Sequence, residues 1–79
     1  MEPRSPQPPR HVRSAKILGE RITDLRFEHG LTQRQLADAT GIDERYLRDL
    51  EQGLNTVAVR RIFQVLRELD VHLEIVDGR

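Results

Sequence analysis

Between Thr32 and Gly53 the chain sets two helix starts and two helix stops at spacings that leave the backbone little choice. Thr32 suits an N-cap, because its hydroxyl accepts from a first-turn amide that has no other partner. A short helix over Gln33 to Ala39 follows, with Leu36 and Ala37 as its buried pair. Gly41 allows the left-handed conformation that ends a helix sharply. Ile42 is expected to drop into the core across the turn, and Asp43 to cap a second helix over Glu44 to Gln52, which Gly53 stops. Leu47 and Leu50 lie three apart and so share the inward face of that helix. Two helices joined this tightly must cross closely, and the small Ala37 supplies the room.

The 79 residues allow one domain at most. A core of this size is marginal alone, so a second copy is a plausible source of extra burial. With no cysteine there is neither a disulfide framework nor a cysteine-based zinc site. No apolar run approaches a membrane span and the N-terminus has no signal-peptide hydrophobic section, so no membrane association and a cytoplasmic location are expected. The formal net charge is zero, whereas sequence-independent affinity for nucleic acid comes from Lys and Arg meeting phosphates. Any such role must rest on local placement. Lys16 is the one Lys among the 13 basic residues. Arg favours planar, bidentate partners such as phosphate or a guanine edge, although a GC-rich coding sequence gives the same bias.

Residues 1–13 hold all four prolines and, beyond Val12, almost nothing apolar. Such a segment cannot offset its ordering entropy and is expected to be disordered. Arg4, Arg10 and Arg13 make it a basic arm, either lying along DNA or simply solvated. Ser14 opens a helix to about Glu28, with Leu18, Ile22 and Leu25 as its apolar stripe and Gly30 as its stop. After Gly53, Asn55 or Thr56 caps a further helix to about Leu69, in which Val59, Ile62, Phe63, Leu66 and Leu69 form a strong amphipathic pattern. Val57 and Val65 fall off that stripe; either they are exposed or they belong to a second face that meets a partner. Val71, His72, Leu73, Glu74, Ile75 and Val76 alternate apolar and polar, which reads as a strand. It is the one strand candidate, and a lone strand needs a mate. A second copy related by a two-fold axis near Leu73 would supply one. His72 would then oppose Glu74 of the other subunit, and Val71, Leu73 and Ile75 would cover the last helix.

The residues Leu31-Thr32-Gln33, Leu36-Ala37, Gly41-Ile42, Leu47 and Leu50-Glu51-x-Gly53 resemble the helix-turn-helix of the Cro/C1-type (XRE) regulators. Asn55-Thr56, Phe63-x-x-Leu66-x-x-Leu69 and Leu73-Glu74-Ile75 sharpen this to a resemblance to the HipB-type antitoxins, over residues 17–76. The resemblance implies an all-α, lambda-repressor-like bundle of four to five helices with a short C-terminal β-strand pairing across a dimer. It divides the chain into the arm at 1–13, a DNA-binding domain at 14–70 and a dimerisation strand at 71–77. It also implies an ion pair between Arg26 and Glu51, holding the second motif helix against the first helix of the domain.

In such proteins the second motif helix enters the major groove. Its outward positions here are Glu44, Arg45, Arg48 and Asp49, with Tyr46 at the margin. Arg45 is the first choice for bidentate contact with guanine, while Arg48 reaches a base or a neighbouring phosphate. Glu44 and Asp49 only accept hydrogen bonds near DNA; the family more often has neutral residues there. The resemblance makes Thr32 and Gln33 phosphate contacts at a helix N-terminus, with Arg34 beside them. Asn55, Thr56 and Arg60 are placed to hold a second phosphate. His11, His29 and His72 show no spacing that unites two of them with an acid, so no metal site is expected. No cofactor motif and no nucleophile–base pair is present, so no enzyme is expected. The expected function is a homodimeric repressor of a palindromic double-stranded DNA operator. It is read as the antitoxin of a HipBA-like type II toxin–antitoxin module, neutralising a HipA-like kinase toxin. The alternatives are a stand-alone phage or chromosomal XRE-type regulator, and a toxin-binding module that has lost DNA binding.

Overall fold

The chain runs as β1 (Arg10–Val12), α1 (Ala15–Glu28), α2 (Gln33–Thr40), α3 (Glu44–Glu51), α4 (Val57–Glu68) and β2 (Leu73–Ile75) in a computed structural model that describes residues 8–54, 57–76 and 78. Capping chemistry sets most helix boundaries. The Ser14 hydroxyl accepts from the Ile17 amide at 3.1 Å and opens α1. Thr32 and Gln35 form a reciprocal capping box at the head of α2, at 3.0 and 2.9 Å. Gly41 takes φ 71° and ends α2. The Asp43 carboxylate accepts from the Arg45 amide at 2.8 Å and opens α3. The proposed caps of α4, Asn55 or Thr56, lie outside the described residues, as does the arm before Pro8.

Two small cores share α1. On one side Val12, Ala15 and Phe63 are buried, with Ile17, Leu18, Val59, Leu66 and Ile75 packed around them. On the other, Ala37 and Leu47 are buried where α2, α3 and α1 meet. α1 and α3 approach so closely that a Cβ on Gly19 would fall on the Leu50 carbonyl oxygen and within 2.5 Å of that of Glu51.

The ends of the chain depart from expectation. Residues 10–12, placed by composition in a disordered arm, form β1 instead. β2 therefore has a mate within its own chain, antiparallel, in the register Arg10↔Ile75, His11↔Glu74 and Val12↔Leu73. Composition misled because Val12 is a single apolar residue, yet it is fully buried. The turn that brings β2 back is made at Asp70, with φ 57°, beside a Val71 amide bonded to the Leu66 carbonyl at 3.0 Å. β2 is also shorter than the alternation over 71–76 suggested. Ile75 joins the core, whereas Val71, Leu73 and Val76 are exposed. Ile42, expected inside, is 38% exposed, and Ile62 and Leu69 of the α4 stripe face outward.

Candidate nucleic-acid interface

One ion pair holds α3 in place. Arg26 of α1 and Glu51 at the end of α3 are both buried and make a bidentate contact, Nε to Oε2 and Nη2 to Oε1, each 2.9 Å. The remaining Arg26 nitrogen, Nη1, donates to the Leu31 carbonyl at 3.0 Å, and the Phe27 ring lies 4.6 Å from the guanidinium carbon. Glu51 collects two more donors, the Thr23 hydroxyl at 2.9 Å and the Gln33 side-chain amide at 3.3 Å. The cluster thus ties α1, the α1–α2 turn, α2 and α3 to one carboxylate. Burial pushes the Glu51 carboxyl up, but the Arg26, Thr23 and Gln33 hydrogen bonds and the Arg26 charge together outweigh it. The net result lies below the ordinary value of 4.5, so Glu51 is a firm anion at neutral pH.

With Leu47 and Glu51 turned inward, α3 presents Glu44, Arg45 and Arg48 to solvent. Asp49 is half-buried and Tyr46 lies at the edge of the same face. The α2 start adds an exposed Arg34 and the exposed Thr32. Thr32 already spends its hydroxyl oxygen on the Gln35 amide. Gln33 is half-buried and one of its amide hydrogens is directed at Glu51, which leaves the second for any outside acceptor. Arg60 and Arg61 are exposed on α4, and Asn55 and Thr56 lie outside the described residues. Thr23 and Gly19 belong to this arrangement and were not singled out from the sequence. The isolated glycine inside the helical pattern of α1 was the available signal.

This two-helix unit, its turn and its supporting helix match a helix-turn-helix family model over residues 22–76. The chain belongs to the XRE-type helix-turn-helix family. Family relatives include two uncharacterized HTH-type transcriptional regulators of Sinorhizobium fredii. The first, y4dJ, is 34% identical over 62 residues, covering 77% of this chain and 80% of the relative. The second, y4mF, is 28% identical over 67 residues, covering 85% and 88%. A third helix-turn-helix relative, the uncharacterized HTH-type regulator RP497 of Rickettsia prowazekii, is 28% identical over 58 residues, 73% of this chain and 45% of the relative. No solved structure matches the chain.

The histidines behave unlike the sequence expectation. β1 and β2 bring His11 and His72 together with Glu74, three potential metal ligands whose donor atoms all lie within 4.8 Å of one another. The expectation of no metal site rested on sequence spacing, and the partner strand supplied by residues 10–12 removes that basis. Among the described residues no helix is long and apolar enough to cross a membrane.

Proposed function

We propose that the protein is a sequence-specific DNA-binding transcriptional repressor, acting as a homodimer that inserts α3 of each copy into successive major grooves. The observation that carries this reading is the exposed row Glu44, Arg45 and Arg48 on a helix locked from behind by the Arg26–Glu51 pair. A rigid helix with an outward arginine is what bidentate reading of guanine requires. Arg34, and the second amide hydrogen of Gln33, stand at the start of α2 as phosphate contacts; Arg60 serves the start of α4. Exposed Ile62, Val65, Leu69 and Leu73 support the dimer, since a second copy would remove apolar side chains of this kind from water. Among the described residues β2 has β1 on one edge only, so its other edge is open to β2 of the second copy.

The test is binding to a palindromic site from the upstream region of the protein's own gene, followed as salt is raised. Arg45→Ala should weaken operator binding by about 1–3 kcal/mol and relax base preference. If operator affinity and preference survive that change, α3 is not the reading helix. Sedimentation of the free protein tests the dimer, and a monomer at micromolar concentration would remove it.

We further read the protein as a HipB-like antitoxin that also binds a kinase-like toxin, on the strength of the terminal strand and the α4 pattern Phe63-x-x-Leu66-x-x-Leu69. A neighbouring kinase-like gene and co-purification of its product would support the antitoxin over a stand-alone regulator. The zero net charge and the acids Glu44 and Asp49 favour a competing module that binds a toxin without DNA. That reading predicts toxin capture with no operator preference at low salt.

A further inference from the structure

We propose that His11, His72 and Glu74 form a binding site for a divalent transition-metal ion of the Zn2+ class, which clips the N-terminal strand to the C-terminal one. His72 immediately precedes β2, two residues before Glu74, and His11 on β1 stands directly opposite Glu74. The His11 Nδ1 and His72 Nε2 atoms face each other at 2.6 Å. Each lies 3.6 Å from the same oxygen, Oε1 of Glu74. The two rings are tilted by 48° with centroids 4.7 Å apart. Residues 61 positions apart thus direct two imidazoles and a carboxylate at one point.

Two imidazole nitrogens and a carboxylate oxygen suit a borderline ion such as Zn2+, with water in the fourth position. Tetrahedral ligands around zinc sit about 3.3 Å apart, given metal–nitrogen bonds of about 2.0–2.1 Å. The two edges to Glu74 are near that spacing, and the short edge between the rings must open by less than about 1 Å. His11, with its side chain 58% exposed, has the freedom to make that adjustment. Without an ion the same two nitrogens satisfy each other as one donor and one acceptor, a hydrogen bond that loading replaces.

The consequence reaches the core. Two three-residue strands are a weak unit in water. Val12, the fully buried side chain beside His11, depends on β1 staying in place. An ion that binds only the folded chain shifts the unfolding equilibrium by mass action, in proportion to the logarithm of its excess over Kd.

The experiment uses the full chain without a histidine tag. ZnCl2 and CoCl2 are titrated by calorimetry and by visible absorption, and thermal melting is followed with and without excess Zn2+. The expected result is one ion per chain, a four-coordinate Co2+ spectrum, and a rise in Tm of roughly 10–20 °C at a hundredfold excess over Kd. His11→Gln and His72→Gln should each lose the Zn2+-dependent rise, while His29→Gln, on the distant α1–α2 turn, keeps it. A variant too unstable to melt is replaced by an NMR titration of the native chain, in which Zn2+ should shift the His11 and His72 ring protons and leave those of His29. An equal Tm rise in the His72→Gln chain, one ion per two chains, or ring shifts spread over all three histidines would overturn the proposal.

Discussion

Glu51 concentrates more of this protein's stability than any surface charge, because its carboxylate has four donors from two elements, α1 and α2, and almost no water. Removing its charge leaves Arg26 buried without a counterion. Glu51→Gln should therefore cost about 3–5 kcal/mol, measured by urea unfolding at neutral pH. The pH dependence follows from the lowered folded-state pKa. The unfolded chain takes up a proton near 4.5, before the folded chain does, so acid favours unfolding. The contribution is complete above 4.5 and disappears as the pH falls through the lower folded value; urea midpoints across that range, with the Glu51 carboxyl followed by NMR, check it. Gly19 is the second such residue. Alanine would gain about 1 kcal/mol of helix propensity. Its Cβ, however, would strike backbone carbonyls of Leu50 and Glu51 that cannot step aside as a flexible side chain would. Overpacking of up to about 3 kcal/mol should dominate, making Gly19→Ala a net loss of about 2 kcal/mol in a denaturant melt.

Among the elements, α2 and α3 are joined by chemistry as well as by packing, since Gln33 on α2 donates to Glu51 on α3. This gives the helix start a role distinct from the reading face. Arg34 is exposed at that start and makes no ion pair among the described residues. If α2 meets a phosphate, Arg34→Ala should weaken binding to all sequences alike and lower the salt slope by about 1. Loss of base preference in that variant would instead move Arg34 onto the reading face. Arg45→Ala is the contrasting case, with preference lost and salt slope nearly kept. α4 presents apolar residues on both sides, with Phe63 inward and Ile62 and Val65 outward. A groove lined by Ala58, Arg61, Ile62, Val65 and Leu66 runs along that outer side.

For the whole molecule, the two chain ends act as a single unit. β1 and β2 pair, and Val12 and Ile75 from them pack with Ala15 and Phe63. Damage at either end should therefore loosen both. Val12→Ala should lower stability by about 2 kcal/mol, or Tm on the order of 10 °C for a chain of this size. Hydrogen exchange should then show faster amide exchange at Leu73–Ile75, across the sheet from the substitution. Unchanged exchange there would mean that β2 is held by α4 alone.

Local chemistry along the chain was enough to specify the motif. Ser14, Thr32, Gly41 and Asp43 act through bonds or backbone angles within a few residues, so their roles are legible one after another. Periodicity likewise picked out Leu47 and Phe63, and the close helix crossing picked out Ala37; all three are buried. The ion pair of Arg26 and Glu51 entered through family resemblance, since a separation of 25 positions carries no periodic signal linking the two. What required the folded chain was every feature joining distant segments without a pattern. The arm read as structureless because strand formation at 10–12 depends on β2, more than sixty residues away, offering backbone partners and a space for Val12. For the same reason two histidines that look scattered in sequence meet over one carboxylate. Such pairings are decided by how α1 and α4 carry the two ends to one place, a sum over packing and loop closure that no short window contains.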